Sequence, residues 1–252
     1  MDIMSFEKWN PKDYLKQYYN TKGIAEDEMY ILKFCIEFFK SGAYHFSESL
    51  EIGSGPTIHH AIPLAPYVDD IYLSDFLDSN LNEVRKWINS DSGHHNWFPY
   101  LKGTLEIEGK KATNLEVKER ADLLREKVKD LLYCDIFRSH PLSMNKKFPL
   151  VTSFYCADSA THSKEAWLLA MQNVLNIVAP DGWFIMSALE KAKNYKVGDL
   201  EFPSAHISNF DVEKVLKNSG FKPDSIVVKA IPISAWKNEG FDGIIIARAQ
   251  KL

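Results

Sequence analysis

The sequence predicts a doubly wound α/β fold, in which helices cover both faces of a mainly parallel sheet. Two observations support this prediction: short apolar segments alternate with segments of helical period, and a glycine turn joins two of the first strands. A length of 252 residues is enough for one α/β domain with a large core, and no linker divides the chain. We therefore expect residues 1–252 to form a single domain.

The spacing of apolar residues predicts the individual elements of the N-terminal half. The predicted helices span residues 27–39, 80–88 and 115–129, and the predicted strands span residues 50–52 and 71–73. Residues 90–109 mix Gly, His, Asn and Trp without a clean period. We expect an irregular insertion there, with one strand near residues 100–107.

The C-terminal half continues the alternation. The predicted strands span residues 131–135, 150–158, 183–189, 225–231 and 243–249, and the predicted helices span residues 163–178 and 210–218. Only one helix lies between the strand at 183–189 and the last two strands. We therefore expect the last two strands to form an antiparallel hairpin at the edge of the sheet.

The glycine turn predicts a nucleotide site. The sequence EIGSGPT at residues 51–57 reads as strand, turn and helix start, and Asp75 closes the next strand about twenty residues after the turn. Gly53 and Gly55 lack the Cβ atoms that would keep the backbone away from a ligand, and Asp75 can accept from both ribose hydroxyls. Ile58 replaces the third glycine of the dinucleotide fingerprint, and the acid at residue 51 suits a cation better than a phosphate. The pattern favours S-adenosylmethionine over NAD, although such a turn alone could also be a plain loop.

Acids follow three of the predicted strands: Asp75, Asp135 and Asp158. In an open α/β sheet, ligands bind beyond the carboxyl ends of the strands, so we expect the three side chains to face one crevice. Any one of them could instead be a helix cap or a turn residue. Their common placement favours a binding site.

Composition excludes several functional classes. A formal net charge of -4 gives no reason to expect nucleic acid or an anionic membrane as a partner. No apolar run approaches the roughly 18 to 20 residues of a membrane span, and residues 1–5 do not resemble the start of a signal peptide. We expect a cytoplasmic protein with a small-molecule ligand.

The cysteines and histidines do not predict a metal site. Cys35, Cys134 and Cys156 are odd in number and widely spaced, which indicates neither a disulfide framework nor a zinc knuckle. The histidine pairs at residues 59–60 and 94–95 could suggest a metal, but adjacent side chains diverge and no further ligand spacing completes a tetrahedral set. We expect no bound metal.

Several motifs together resemble the nicotinamide, phenylethanolamine and thioether/indolethylamine methyltransferases. They are WNPKDYLKQYY at residues 9–19, GSGPTI at 53–58, Asp75 with Asp78 and Asn80, Cys134 with Asp135, and NEG at 238–240. The resemblance runs nearly end to end, and the first two motifs are far more specific than a lone glycine turn. It implies a seven-stranded, Rossmann-like class I methyltransferase fold, a helical lid within residues 1–45, and S-adenosylmethionine as cofactor.

The resemblance also implies which residues bind the cofactor. Its methionine portion would be lined by the glycine turn, with Gly53, Ser54, Gly55 and Thr57. The ribose and nucleoside would contact Asp75 and Asn80. The adenine would contact Asp135 and Ile136. Tyr14 and Tyr19 of the lid would contact the carboxylate end of the cofactor and the substrate pocket. Without the motif, the lid tyrosines would simply bury one face of a helix.

The methyl acceptor is predicted less closely. The candidate substrate-binding residues are Tyr14, Tyr155, Asp158, Ser187, Glu190, Tyr195 and Ser204, with Asp158 and Glu190 as the catalytic acids. Asp158 matches a family position that bears an acid, and residues 188–190 resemble the start of an Ala-Leu-Glu-Glu run in the phenylethanolamine enzymes. Lys191 replaces the second glutamate of that run, and Ser187 stands where the nicotinamide enzymes have an aspartate. Glu190 and Lys191 could equally be an exposed loop pair.

These inferences predict a monomeric, cytoplasmic, S-adenosylmethionine-dependent N-methyltransferase that acts on a small amine. An alkylamine is the expected substrate and nicotinamide a poor one, because Ser187 stands where the nicotinamide enzymes have an acid, whereas Asp158 and Glu190 remain to hold an ammonium. Three alternatives stay open: methylation of the sulfur of a thioether or thiol, cofactor binding without turnover, and an NAD-dependent oxidoreductase.

Overall fold

A computed structural model describes residues 6–20, 23–234 and 241–252. The motif at 238–240 lies outside these residues. The described helices are α1 (Pro11–Tyr18), α2 (Glu26–Gly42), α3 (Asp78–Ile88), α4 (Phe98–Ile107), α5 (Asn114–Lys127), α6 (Lys164–Leu175) and α7 (Asn209–Asn218). The described strands are β1 (Phe46–Ile52), β2 (Val68–Asp75), β3 (Val128–Tyr133), β4 (Phe148–Phe154), β5 (Val178–Glu190), β6 (Asn194–Val197), β7 (Leu200–Pro203), β8 (Val227–Pro232) and β9 (Gly243–Gln250).

Seven strands form one sheet in the order β3-β2-β1-β4-β5-β9-β8. The strands from β3 to β5 are parallel, and β9 pairs antiparallel with both β5 and β8. The predicted doubly wound sheet and the predicted antiparallel hairpin at its edge are therefore confirmed. The strand order reverses between β1 and β4, which is where ligands bind in folds of this kind.

Alternate residues of the central strands pack into two hydrophobic clusters. Ile244 and Ile246 of β9 belong to a cluster with residues of α2, α4 and α5, whereas Ile245 and Ala247 belong to a cluster with residues of α6 and α7. This alternation is what a sheet buried on both faces requires. None of the helices in the described part of the chain is long and apolar enough to cross a membrane.

Two predicted elements are wrong. Residues 98–107 form a helix and not a strand, because a proline begins it and Tyr100, Leu101, Thr104 and Leu105 bury one helical face. The helix expected directly after the glycine turn is replaced by two short 3-10 helices, His59–Ala61 and Ala65–Tyr67. Pro63 and Pro66 lie in this segment, and a residue without a backbone N–H cannot continue an α-helix.

The lid helix docks on a hairpin that the sequence did not predict. Strands β6 and β7 form a separate two-stranded sheet. From α1, Gln17 Nε2 and the Tyr18 hydroxyl donate to the Lys196 carbonyl at 3.0 and 2.5 Å. The Gly198 amide donates back to Gln17 Oε1 at 2.7 Å. The helix and the hairpin thus form one cover over the carboxyl ends of the parallel strands.

Candidate active site

A cavity of about 480 Å³ lies under this cover, at the carboxyl ends of β1, β2 and β4. The glycine turn, the ends of β2 and β4, the loop after β3, the lid, the first turn of α2 and the hairpin all line it. Another depression, of about 590 Å³ and more open, runs along residues 138–145, and none of the predicted site residues lines it. The cavity under the lid is therefore the candidate site.

The glycine turn is fixed in place by its neighbours. Gly53 has φ of +70°, and a Cβ there would lie 2.2 Å from Cys156 Sγ, so a larger residue does not fit. The Ser54 amide donates to the Ser74 carbonyl at 2.9 Å, which ties the turn to β2. Gly55 has φ of +61°, and a Cβ there would meet no atom within 4 Å. Since Gly55 lines the cavity, its missing side chain leaves room for a ligand.

Asp75, the last residue of β2, is a buried carboxylate held by three donors. Its Oδ2 accepts from the Gly55 amide at 2.9 Å, and its Oδ1 accepts from the Leu77 amide at 2.8 Å and Asn80 Nδ2 at 3.0 Å. Burial raises the pKa of Asp75, and the donors oppose that shift. Each carboxylate oxygen has two acceptor sites, so Oδ2, which accepts from one donor, can still accept from a hydroxyl of a ligand. Trp9 Nε1 donates to Asn80 Oδ1 at 2.8 Å and connects the lid to this end of the cavity.

The loop after β3 supplies Asp135 and Ile136 to the same end. Asp135 Oδ1 accepts from the Phe137 amide at 3.1 Å, and its Oδ2 accepts from Arg138 Nε at 3.2 Å. Asn173 Nδ2 of α6 donates to the Ile136 carbonyl at 2.9 Å. The structure therefore brings together every residue predicted to bind the cofactor, since all of them line the cavity. Their binding roles stay predictions.

The lid tyrosines lead to the opposite end of the cavity. The Tyr14 and Tyr19 hydroxyls lie 3.4 Å apart, and the Tyr19 hydroxyl donates to Glu28 Oε1 at 3.1 Å. Tyr195 of the hairpin also lines the cavity, and its ring stacks on Phe202 at a centroid distance of 5.5 Å. This end is therefore aromatic and enclosed. Burial raises the pKa of all three tyrosines, so each hydroxyl stays protonated.

Two acids of α2 line this end, and the sequence analysis missed both. Asp27 and Glu28 are buried and lie in the first turn of the helix. The Tyr155 hydroxyl donates to Asp27 Oδ2 at 2.9 Å, and burial raises the pKa of Asp27 to about 7. A signal was present for Glu28, which shares a helical face with Leu32 and Cys35. Acids in a first helical turn are so common, however, that their function is easily overlooked.

Glu28 belongs to a buried cluster with two histidines. Its Oε2 accepts from His60 Nε2 at 2.9 Å and lies 3.0 Å from His59 Nε2, although the His59 ring is not aligned for a hydrogen bond. The two rings lie 3.8 Å apart, so the expectation that adjacent histidines diverge is wrong here. Burial lowers the pKa of His60, but the carboxylates of Glu28 and Glu51 outweigh it and raise the pKa to about 9.

The ligand atoms of Glu28, His59 and His60 lie within 4.8 Å of one another, which is close enough for a metal ion. The Glu28 carboxylate already accepts from Tyr19 and His60, so two of the three groups are hydrogen-bonded to each other. The cluster therefore fits a buried ion pair better than a metal centre. The absence of a metal stays a prediction.

Four predicted substrate residues do not line the cavity: Asp158, Ser187, Glu190 and Ser204. Asp158 lies behind the wall, where its Oδ2 accepts from the Leu189 amide at 2.9 Å and burial raises its pKa to about 6. The Ser187 and Ser204 hydroxyls are buried and have no hydrogen-bond partner within the described ranges. Glu190 ends β5 beside the ion pair of Lys191 and Asp242. The catalytic and binding roles of these four residues stay predictions.

Comparison with known proteins agrees with this geometry. The chain is 31% identical to indolethylamine N-methyltransferase from Oryctolagus cuniculus, over 89% of this chain and 87% of the relative. It is 27% identical to nicotinamide N-methyltransferase from Sus scrofa (94% and 92% covered) and 25% identical to phenylethanolamine N-methyltransferase from Homo sapiens (98% and 90% covered). It therefore matches relatives with three different acceptors at similar identity.

Solved structures share the fold. A magnesium protoporphyrin IX methyltransferase from Synechocystis PCC 6803 with bound SAH superposes with a TM-score of 0.60 at 14% identity, covering 99% of both chains. An S-adenosylmethionine-dependent methyltransferase from Clostridium acetobutylicum ATCC 824 gives a TM-score of 0.55 at 14% identity, covering 94% of this chain and 96% of its own. The predicted class I methyltransferase fold is confirmed. The model of the NNMT/PNMT/TEMT family matches residues 2–252, and the chain therefore belongs to this family, as its motifs predicted.

Proposed function

We propose that this protein transfers the methyl group of S-adenosylmethionine to the nitrogen of a small amine inside the lid-covered cavity. Membership of the family confirms the predicted enzyme class, an S-adenosylmethionine-dependent N-methyltransferase. The observation that carries the assignment of the site is the continuity of the cavity. One enclosed space joins the glycine turn and Asp75 to a second end lined by tyrosines and acids.

The residues of the first end fit the cofactor. S-adenosylmethionine, when bound, supplies a methyl group on a positively charged sulfur. Gly55 leaves room in the turn, and Asp75 presents a carboxylate already oriented by backbone donors. Asp135 and Ile136 also line the cavity. We assign the methionine portion to the turn, the ribose to Asp75 and the adenine to the loop after β3.

The residues of the second end exclude water and align the acceptor. Methyl transfer to an amine is an in-line displacement, and holding two reactants in the right geometry lowers the barrier by roughly 7 to 11 kcal/mol. Tyr14, Tyr155 and Tyr195 enclose the space in which the amine would lie. No covalent nucleophile is needed. Asp158 and Glu190 lie outside the lining, so we assign them at most a supporting role in positioning β5 and its neighbours.

We propose an alkylamine or arylalkylamine as the substrate and nicotinamide as a poor one. A pyridine carboxamide needs fixed polar partners for its amide group, and each unpaired group costs roughly 1 to 3 kcal/mol. Ser187, which stands where the nicotinamide enzymes have an aspartate, does not line the cavity. The monomeric state and the cytoplasmic location predicted from the sequence also remain proposals.

The test is direct product detection. The purified chain is incubated with S-adenosylmethionine and, separately, nicotinamide, thioethers, thiols and a panel of aryl- and alkylamines, and methylated products are quantified by mass spectrometry. We expect an amine to be the best substrate. Nicotinamide ahead of every amine by tenfold would overturn the proposed acceptor, and a thioether ahead of every amine would make the protein an S-methyltransferase.

A further inference from the structure

We propose that Asp27, oriented by Tyr155, binds the ammonium group of the methyl acceptor and removes its proton before methyl transfer. This inference rests on the proposed function, because it assigns the acceptor end of the same cavity. No predicted site residue supplies this chemistry, since Asp158 and Glu190 do not line the cavity. Asp27 lines it, from the first turn of α2.

Asp27 has no cation partner in the described part of the chain. The cavity is lined by four acids, which differ in how they are neutralised. Asp75 has its three donors, Asp135 pairs with Arg138, and Glu28 pairs with His60. Among the described residues, Asp27 has the Tyr155 hydroxyl as its only side-chain partner, and its other donors are the backbone amides of Asp27 and Glu28. A buried carboxylate with so little compensation is costly, and it fits a site that receives its cation from outside.

The backbone of Tyr155 adopts an unusual conformation. This residue has φ of +50°, in the left-handed region that a bulky aromatic residue rarely adopts. It follows the last residue of β4, and its amide donates to the Ser187 carbonyl at 3.0 Å. The conformation lets its side chain reach Asp27 on α2. Such conformations persist where the surrounding structure imposes them, and they concentrate at functional sites.

The chemistry balances without any further reactant. The Asp27 carboxylate accepts one proton from the bound ammonium and becomes a carboxylic acid, which leaves the lone pair on the acceptor nitrogen. This nitrogen then forms a bond to the methyl carbon as the bond from that carbon to sulfur breaks, and the bonding electrons stay on the sulfur. The products are a methylated ammonium and a neutral thioether, and Asp27 returns its proton to solvent when the lid opens.

The titration of Asp27 suits this task. Burial is the main cause that raises its pKa to about 7, and the neighbouring Glu28 carboxylate raises it further. The other titratable groups facing Asp27 are tyrosines from three other elements: Tyr14 of α1, Tyr100 of α4 and Tyr155 beyond β4. Their pKa values are all raised, so they stay neutral while Asp27 titrates. A carboxylate with a raised pKa is a stronger base than an ordinary one.

The experiment compares Asp27→Asn with a matched control, Glu26→Gln. Glu26 lies in the same helical turn, is exposed, and does not line the cavity. For the best amine of the panel, we expect Asp27→Asn to lower kcat/KM by roughly 10²- to 10⁴-fold. We also expect it to abolish the rise of kcat/KM through about pH 7, where the wild-type Asp27 ionises.

Tyr155→Phe should lower kcat/KM less, by about tenfold. The affinity for S-adenosylhomocysteine should stay within twofold in every variant.

A binding measurement separates this inference from the proposed function. Benzylamine and its neutral analogue benzyl alcohol are titrated by calorimetry into the complex with S-adenosylhomocysteine at pH 8. Asp27→Asn should weaken benzylamine by at least tenfold and leave benzyl alcohol unchanged. Equal benzylamine affinity in wild type and Asp27→Asn, or an unchanged pH profile of kcat/KM, would overturn the role of Asp27. Benzylamine binding that depends on Asp27, without methylation of any amine, would instead overturn the proposed function and retain the ammonium site.

Discussion

The two ends of the cavity neutralise their buried acids in different ways. At the cofactor end, Asp75 is held by donors 20, 2 and 5 residues away in sequence, two of which are backbone amides. At the acceptor end, Glu28 depends on a histidine 32 residues away, and Asp27 depends on a tyrosine 128 residues away. The first arrangement is built by a strand end and its adjoining turns. The second exists only when helix, sheet and loop are packed together.

This difference has a functional consequence. Local backbone donors orient Asp75 regardless of what occupies the rest of the cavity, so the proposed cofactor site can serve any acceptor. The acceptor end is assembled from side chains that can change one at a time. This division agrees with the similar identity of the chain to relatives named for indolethylamine, nicotinamide and phenylethanolamine. Variants at the two ends should therefore fail in different ways.

The largest expected effect is on stability, at the acceptor end. Glu28→Gln leaves a buried, protonated His60 without its carboxylate, and breaking a buried ion pair costs roughly 3 to 5 kcal/mol of unfolding free energy. The control is Glu37→Gln, an exposed position on the same helix. Chemical denaturation of both variants measures the difference. A loss below 1 kcal/mol for Glu28→Gln would show that the pair contributes little.

The same pair should have a defined pH range. The two imidazoles hold the pKa of Glu28 well below its ordinary value despite burial, so its contribution is present above about pH 4.5 and is lost on acidification. The pKa of His60 is raised to about 9, so its contribution is present below about pH 6.5 and is lost as the pH rises through 9. The stability difference between wild type and Glu28→Gln should therefore be largest near pH 5 to 6 and shrink toward pH 9.

The next effect is on cofactor affinity, at the other end. Asp75→Ala removes the acceptor proposed for the ribose, at a cost of roughly 2 to 4 kcal/mol, or about 30- to 1,000-fold in Kd for S-adenosylhomocysteine. Asp70→Ala is the control, because Asp70 lies on the same strand with its side chain partly exposed. Calorimetry gives both dissociation constants. An unchanged affinity in a folded Asp75→Ala protein would show that the ribose lies elsewhere.

The sequence predicted which residues meet at the Asp75 end of the cavity, for a physical reason. Each of its side chains lies at the end of a strand or in the turn after it, and the carboxyl ends of parallel strands meet at one edge. Knowing the strands was therefore enough to bring Gly55, Asp75 and Asp135 together, and the structure places all three on one cavity. The sheet itself could be predicted because the apolar segments that form its strands are long enough to be recognised in the sequence.

The acceptor end could not be predicted in this way. Asp27 and Glu28 look like ordinary first-turn acids, and their surroundings depend on packing against residues far away in sequence. The motif-based choice of Asp158 and Glu190 named residues outside the cavity lining, because a linear motif does not reveal which way a side chain faces. Helix α4 was predicted as a strand because its short, aromatic-containing segment also suits a strand, although its buried residues share one helical face. The β6–β7 hairpin was missed because each of its strands has only four residues.

A third variant changes stability in the opposite direction. The folded state binds the Asp27 proton more tightly than the unfolded chain, so Asp27 destabilises the fold increasingly as the pH rises from about 4 to 7. Asp27→Asn removes this cost but weakens the bond from Tyr155, and we expect a net gain of about 1 to 3 kcal/mol at pH 8. The gain should vanish below pH 4. Denaturation of wild type and Asp27→Asn at both pH values measures it, and an equal loss at both would mean that Asp27 is a purely structural residue.

The smallest expected effect concerns the cover that joins the two ends. The Tyr18 hydroxyl and Gln17 attach α1 to the Lys196 carbonyl, and a hydrogen bond of this kind contributes about 0.5 to 1.5 kcal/mol. Tyr18→Phe should therefore speed amide hydrogen exchange in α1 by at most about tenfold, because the two hydrogen bonds between Gln17 and the hairpin remain. Tyr30→Phe is the control, since Tyr30 is 38% exposed where Tyr18 is 37% exposed, and it lies on α2 away from the hairpin.

S-adenosylhomocysteine should slow the exchange in both variants, because a lid closes over its ligand. Exchange in α1 that does not respond to the ligand would mean that this helix is packed permanently and does not act as a lid.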